Sequence, residues 1–291
     1  MSGTQLRYLV KNLKTPLRYP GGKSRATKFL FDYLPKEITA YREPFAGGGS
    51  FAIEFSKRYP DTPVWVNDVY FNLFCFWSQL QKNGDALYSA VLSHKLKAES
   101  YEDADQAHRE LFLQSKEELN KSLDPFGAAV RFFIVNKCSF SGLGESSGFS
   151  ASASKSNFSR NNIERLPQYS KLIESWVITN FDYEKVLQDC SATDFVFADP
   201  PYDIKSFLYG KKGKHHSDFD HYLFYEHAQD CMGNVMITYN SNEVLRELYQ
   251  DWFQKEWDLT YTMHSGKIYR EDENNRKELL LTNYEMEQKS I

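Results

Sequence analysis

Asp194-Phe195-Val196-Phe197-Ala198 is an apolar run behind one acid, and it stops at Asp199-Pro200-Pro201-Tyr202. Such a run predicts a strand buried on both faces of a mostly parallel sheet. The two prolines end it, because they lack N–H donors and stiffen the turn while leaving carbonyls to accept hydrogen bonds. A carboxylate at the carboxyl end of a parallel strand lies where open α/β sheets bind ligands. Asp199 and the Pro200 carbonyl are therefore two acceptors aimed at one place, which suits an exocyclic amine with two N–H donors. Accepting both while the nitrogen leaves the ring plane concentrates its lone pair for attack on a methyl group. Tyr202 adds a flat face on which a base can stack. The bland alternative is a strand-ending turn with no chemistry.

Working outward, six further runs read as strands: Tyr41–Phe45, Pro63–Asn67, Trp176–Asn180, Asn234–Tyr239, Thr260–His264 and Glu278–Tyr284. Helical patterns at Ser50–Arg58, Phe219–Cys231 and Asn242–Tyr249 separate them, so the fold class is α/β with a mostly parallel sheet. Between Phe71 and Leu166 the periodicity is helical, at Tyr101–Leu119 and Pro125–Asn136, with no convincing strand. The expected organisation is a core of residues 1–70 and 166–291 with an inserted, mainly helical lobe at 71–165. The Ser/Gly-rich stretch Ser139–Ser159 carries Phe140, Phe149 and Phe158, which predicts a loop that orders against something rather than a linker.

Two more motifs flank the first strands. Glu43-Pro44-Phe45-Ala46-Gly47-Gly48-Gly49-Ser50 places clustered glycines at the first strand-to-helix turn, where doubly wound folds hold a nucleotide moiety. It is neither GxGxxG nor a P-loop, so a nucleoside triphosphate is poorly supported. Asp68, ending the second strand, can bind ribose hydroxyls, and Glu43, Asp68 and Asp199 together suit a cationic cofactor. Pro16-Leu17-Arg18-Tyr19-Pro20-Gly21-Gly22-Lys23-Ser24 lets backbone pass close to a ligand, with Tyr19 and Lys23 in reach of its polar end.

Composition limits the rest. No apolar stretch approaches a membrane span, and the leader MSGTQLRYLVKNLK has no apolar segment or cleavage site, so a cytoplasmic protein is expected. Cys75, Cys138, Cys190 and Cys231 have no CxxC spacing, which disfavours a disulfide framework or structural zinc. His215, His216, Asp218, Asp220, His221 and His227 match no standard ligand spacing, so no metal is expected. The net charge of −4 argues against indiscriminate coating of nucleic acid, but the charge is unevenly spread. Residues 1–28 carry seven Lys or Arg and no acid, and Lys205–Lys214 carries four lysines and no acid. Such patches against an acidic remainder suit electrostatic steering toward a polyanion.

The ordered set TPLRYPGGKS, EPFAGGGSF and ADPPY resembles the Dam-type DNA adenine-N6 methyltransferases. The similarity continues through VNKCSFSGL (Val135–Leu143), Asn180-Phe181-Asp182, FDHYL (Phe219–Leu223), ITYNSNEVLRELY (Ile237–Tyr249) and NNRKELLLTNY (Asn274–Tyr284). The resemblance implies a Rossmann-like methyltransferase fold, S-adenosyl-L-methionine as cofactor, and double-stranded DNA as substrate, with the target base flipped out of the stack. It makes Asp199, Pro200 and Tyr202 the catalytic set. Tyr19, Lys23, Phe45, Gly47, Gly49, Ser50, Asp68, Asp182 and Asp199 become cofactor contacts. Residues 71–165 become the target-recognition lobe, with Lys137, Phe140 and Ser141 on DNA and Phe140 where the family places a wedging aromatic. Lys155, Arg160, Lys211, Lys212 and Lys214 are the expected phosphate grips. Ser141 and Glu145 stand where GATC-reading members have Asn and Arg. A carboxylate cannot make the bidentate guanine contact of an arginine, so the expected target is not GATC. A bacterial, phage or mobile-element source and a cognate restriction endonuclease fit the same resemblance. Three rivals stay open at this level: an RNA adenine methyltransferase, a cytosine-N4 DNA methyltransferase, and a catalytically silent DNA-binding protein.

Overall fold

The computed structural model describes residues 10–19, 23, 26–119, 121, 124–140, 147–201, 219–258 and 277–287. In chain order its elements begin α1 (Thr27–Phe31), β1 (Ala40–Glu43), α2 (Ser50–Arg58), β2 (Val64–Asn67), α3 (Phe71–Glu99), α4 (Ala104–Leu119) and α5 (Pro125–Cys138). They continue α6 (Ala151–Asn157), α7 (Arg160–Glu164), α8 (Leu166–Leu172), β3 (Val177–Thr179), α9 (Tyr183–Leu187) and β4 (Asp194–Ala198). The last are α10 (His221–Asp230), β5 (Asn234–Asn240), α11 (Glu243–Leu248), β6 (Phe253–Asp258) and β7 (Lys277–Thr282). Strand alternating with helix, and parallel pairing wherever a helix intervenes, is the expected Rossmann-like α/β architecture.

Two compact units divide the chain: Met1–Ser24 with Ala46–Asn180, and Arg25–Phe45 with Phe181–Ile291. In the second unit β4 pairs in parallel with β1 and β5, and β7 lies antiparallel between β5 and β6. All five residues of β4 are buried, as its apolar run requires. Val196, Ala198, Ile237, Tyr239, Leu279 and Leu281 form a core with Phe224 and Ala228 of α10 and Leu245 of α11. Side-chain caps start these helices: Asp220 accepts from the Tyr222 and Leu223 amides, and Asn242 from that of Leu245. The chain leaves after β1, forms β2 and β3, and returns as β4 in parallel beside β1.

The first unit joins the parallel pair β2–β3 to the helices of the insertion. Within this unit α3 packs on α5, α8 and β3 alike. At 29 residues α3 is broken by non-helical angles at Asn83, and Phe76 stacks on Phe133 of α5 at 5.7 Å. Asp124 and Pro125 start α5, the carboxylate accepting from the Phe126 and Gly127 amides at 3.0 Å.

The described parts of the Ser139–Ser159 stretch, residues 139–140 and 147–159, pack as its aromatics suggest. Ser139 bridges to Phe149, the Phe140 amide donates to the Gly148 carbonyl at 3.0 Å, and α6 follows. Phe158 is fully buried with Lys95 5.2 Å from its ring centre, and Phe149 lies against Phe112. Phe140 is the exception, with 54% of its surface exposed. The strand expected at Thr260–His264 lies outside the described residues, and β6 was not anticipated. Among the described residues no helix is long and apolar enough to cross a membrane.

Candidate active site

Asp199 follows β4 directly, and the parallel register explains what holds it. Ala198 pairs with Ile237, so the next residues along, Asp199 and Thr238, come side by side. The Thr238 hydroxyl, fully buried in β5, donates to the Asp199 Oδ1 at 2.8 Å. Pro200 is buried behind it. Tyr202, the third of the expected catalytic set, lies outside the described residues.

The same rim of the second unit carries Phe45. Phe45 and Asp199 each stand three residues beyond the Arg42–Val196 pair of β1 and β4. The Phe45 ring packs 5.6 Å from each of Tyr183, Phe219 and Phe224, an aromatic wall of one face per element. Behind it His221 Nδ1 lies 3.0 Å from the Tyr239 hydroxyl. Burial raises the phenol pKa values of Tyr183 and Tyr239 above the usual range, so both stay protonated hydrogen-bonding groups. Asp182 is exposed and caps α9 through the Glu184 amide. Glu43 is buried and accepts from the Tyr41 hydroxyl at 2.6 Å.

In the first unit the glycine turn and Asp68 form one hydrogen-bonded piece. The Asp68 carboxylate accepts from the Gly47 amide at 2.9 Å and from the Tyr70 amide at 3.0 Å. Burial pushes its pKa up, and the two amides oppose that shift. The Asn180 amide holds the strand end by donating to the Asp68 and Val69 carbonyls at 2.7 and 2.9 Å. Gly47 and Gly49 have φ of +46° and +64°, in the region that favours glycine. The room their missing Cβ leaves is filled from within the protein. A Cβ on Gly49 would stand 2.7 Å from the Trp77 ring, and one on Gly47 3.1 Å from that of Tyr19. Trp77 Nε1 also donates to the Gly47 carbonyl at 3.1 Å. Ser50 opens α2 behind this turn. Tyr19 lies over the turn with 38% of its surface exposed. Burial around its hydroxyl and the charge of Asp68 raise its pKa above the usual range. Lys23 is buried.

The expected cofactor contacts are thus divided: Tyr19, Lys23, Gly47, Gly49, Ser50 and Asp68 belong to the first unit, Phe45, Asp182 and Asp199 to the second. The expected DNA contacts do not form one exposed set. Phe140 stands out from the surface, but Lys137 is buried above the Phe133 ring, its pKa lowered to about 8 by burial and by Arg18. Lys155 is paired with Asp105 at 2.6 Å, and Arg160 donates from Nε to Glu99 at 3.0 Å. Ser141, Lys211, Lys212 and Lys214 lie outside the described residues. Thr238, Tyr183 and Trp77 had no role in the sequence reading. Thr238 could have been found only by pairing the strand before DPPY with ITYN in the right register.

Known proteins resemble this chain over most of its length. A family model described as D12 class N6 adenine-specific DNA methyltransferase matches residues 19–263. Type II methyltransferase M.CviBI of Paramecium bursaria Chlorella virus NC1A is 22% identical over 283 residues, covering 94% of this chain and all of the relative. Type II methyltransferase M1.LlaDCHI of Lactococcus lactis subsp. cremoris is 24% identical, covering 94% of this chain and 96% of its own. M.MjaIII of Methanocaldococcus jannaschii is 26% identical over 205 residues, 65% of this chain and 69% of its own. With the family model spanning most of its length, this chain belongs to the D12 class of N6 adenine-specific DNA methyltransferases.

Proposed function

We propose that the chain methylates the N6 amine of an adenine flipped out of duplex DNA, using S-adenosylmethionine, at a site other than GATC. The observation that carries this reading is the Asp199 carboxylate, fixed by Thr238 at the carboxyl end of β4 and followed at once by Pro200. Asp199 and the Pro200 carbonyl accept the two amine hydrogens and hold the nitrogen out of the ring plane. Tyr202 stacks on the base, and the amine proton leaves afterwards to Asp199 or water. The bound cofactor supplies an electrophilic methyl group.

The residues present fit that cofactor. Each Asp68 oxygen accepts one amide, and an ionised carboxylate accepts about four bonds in all, so capacity remains for ribose hydroxyls. Tyr19, Lys23, Phe45, Gly47, Gly49, Ser50 and Asp182 complete the set of contacts in this reading. Phe140, already exposed on an ordered loop base, acts as the wedge that offsets part of the cost of unstacking, a few kcal/mol. Ser141, Lys155, Arg160, Lys211, Lys212 and Lys214 hold the DNA, and residues 71–165 serve as the recognition lobe. The enzyme works in the cytoplasm of a bacterium, or of a host of phage or mobile elements, beside a cognate restriction endonuclease. Transfer of tritium from labelled cofactor into duplex DNA but not RNA tests the reading, and methylation-sensitive long-read sequencing of DNA from expressing cells gives the target. Label entering RNA in preference to DNA would sink it.

A further inference from the structure

Trp77 touches the glycine turn yet belongs to neither the catalytic set nor the expected cofactor contacts. It lies in the early part of α3 with 1% of its surface exposed. Its Nε1 donates to the Gly47 carbonyl at 3.1 Å. Its ring takes the room beside Gly49, where an added Cβ would stand 2.7 Å from Cζ2 and 2.9 Å from Cη2. The indole is itself held in place. Its ring packs 5.3 Å from Phe76 and 5.9 Å from Trp176, and Trp176 Nε1 donates to the Ser56 hydroxyl of α2 at 2.8 Å.

A turn of three glycines has no stiffness of its own. Glycine visits both signs of φ freely, so fixing it costs more backbone entropy than fixing any other residue. Gly47 and Gly49 are nevertheless set at φ +46° and +64°. Gly47 is committed through both its backbone groups, its amide to Asp68 at 2.9 Å and its carbonyl to Trp77. A trans peptide is planar, with the carbonyl and the next amide on opposite edges. Because the Gly47 carbonyl faces the indole, the Gly48 N–H is turned away from it. The Thr15 hydroxyl bonds the Gly48 carbonyl, and the Tyr19 ring lies against Gly47 and Gly48. All these groups belong to one compact unit.

We propose that Trp77 is a positioning residue for the cofactor: it fixes the Gly47–Gly49 turn before binding, so the cofactor does not meet the cost of ordering it. The inference rests on the assignment of that turn to the cofactor. A site held in its bound shape binds more tightly than one that must be ordered, with no new contact to the ligand. The effect falls on cofactor affinity and not on the transfer step, because Asp199 is held by Thr238 within the other unit.

The test uses the full chain, with S-adenosylhomocysteine as the probe in calorimetry and methyl transfer to duplex DNA for KM and kcat. Trp77→Phe removes the indole N–H and part of the ring beside Gly49. The loss of one neutral hydrogen bond corresponds to roughly threefold to tenfold weaker affinity. The KM for S-adenosylmethionine should rise in step, with kcat at saturating cofactor within about twofold of wild type. Trp77→Tyr, closer in size but again without the indole donor, should show the same split. Phe112→Leu is the control for lost packing, a buried ring of α4 that lies against Phe149. It should melt lower and bind like the wild type. A Trp77→Phe or Trp77→Tyr chain that binds the probe like the wild type, whatever its melting temperature, overturns the inference and leaves the functional reading intact. So does a fall in kcat with KM unchanged. Affinity that falls as far in Phe112→Leu as in the Trp77 variants makes the effect one of stability and overturns it too. Absence of any binding by the wild type would instead overturn the cofactor assignment, and this inference with it.

Discussion

Thr238→Val is the substitution that isolates how Asp199 is held. Thr238 is fully buried in β5, and valine replaces its hydroxyl with a methyl of similar size, so the core keeps its shape. What is lost is one donor to the Asp199 carboxylate, at 2.8 Å. A hydrogen bond to a charged group contributes about 1.5–3 kcal/mol. If the Asp199 position matters only while the amine is being held out of plane, that loss falls on the transition state. At about 1.4 kcal/mol per decade it lowers kcat roughly tenfold to a hundredfold. The expected signature is a fall in kcat with little change in S-adenosylhomocysteine affinity, because Asp68 and the glycine turn do not involve Thr238. The assay is methyl transfer to duplex DNA at saturating cofactor, with calorimetry and thermal melting as controls. Melting should shift by no more than a few degrees, since about 1 kcal/mol moves a chain of this size roughly 2–4 °C. A variant with kcat within about twofold of wild type would refute the claim that this bond positions the catalytic carboxylate.

Three further outcomes are expected. Asp68→Ala leaves the Gly47 and Tyr70 amides without their acceptor and removes the ribose partner, so S-adenosylhomocysteine affinity by calorimetry should fall at least about tenfold. Phe140→Ala should hurt methylation most on a matched duplex, less on a duplex with the target adenine mispaired, and least on a single strand; equal losses on all three would make the ring a packing residue. His108 faces the Lys95 ammonium at 3.1 Å through Nε2 and the Ala104 carbonyl at 2.6 Å through Nδ1, and burial holds its pKa below the usual 6.5. Below pH 6.5 the unfolded chain therefore takes up a proton that the folded one resists, so the melting temperature should fall as pH drops from there. His108→Gln should remove that part of the slope in melting curves taken between about pH 5 and 8.

Local chemistry made much of the fold and part of the site legible in the sequence. DFVFA could only be a doubly buried strand, and its bounds are those of β4. The prolines after it and the glycines after β1 announced the two turns in the same way. What escaped depends on pairing at a distance. Thr238 meets Asp199 only because Ala198 registers with Ile237, and no local pattern encodes that register. The glycines mark their turn locally, but Trp77 and Tyr19, which lie where a Cβ on Gly49 or Gly47 would stand, reach it through tertiary packing and leave no local signal. Basic residues named as phosphate grips from charge alone proved to have acidic neighbours across helices, Asp105 for Lys155 and Glu99 for Arg160. β6 went unread because its Lys255, Glu256 and Asp258 make a polar edge strand with no alternation to notice.

The most direct test of the central claim is nucleoside analysis by mass spectrometry of duplex DNA incubated with S-adenosylmethionine and either the wild type or Asp199→Ala. The account predicts N6-methyladenine with the wild type. With the folded variant it predicts less than about a tenth of that rate, a barrier difference of at least ~1.4 kcal/mol. N4-methylcytosine as the wild-type product, or N6-methyladenine formed by Asp199→Ala at more than a tenth of the wild-type rate, would contradict it.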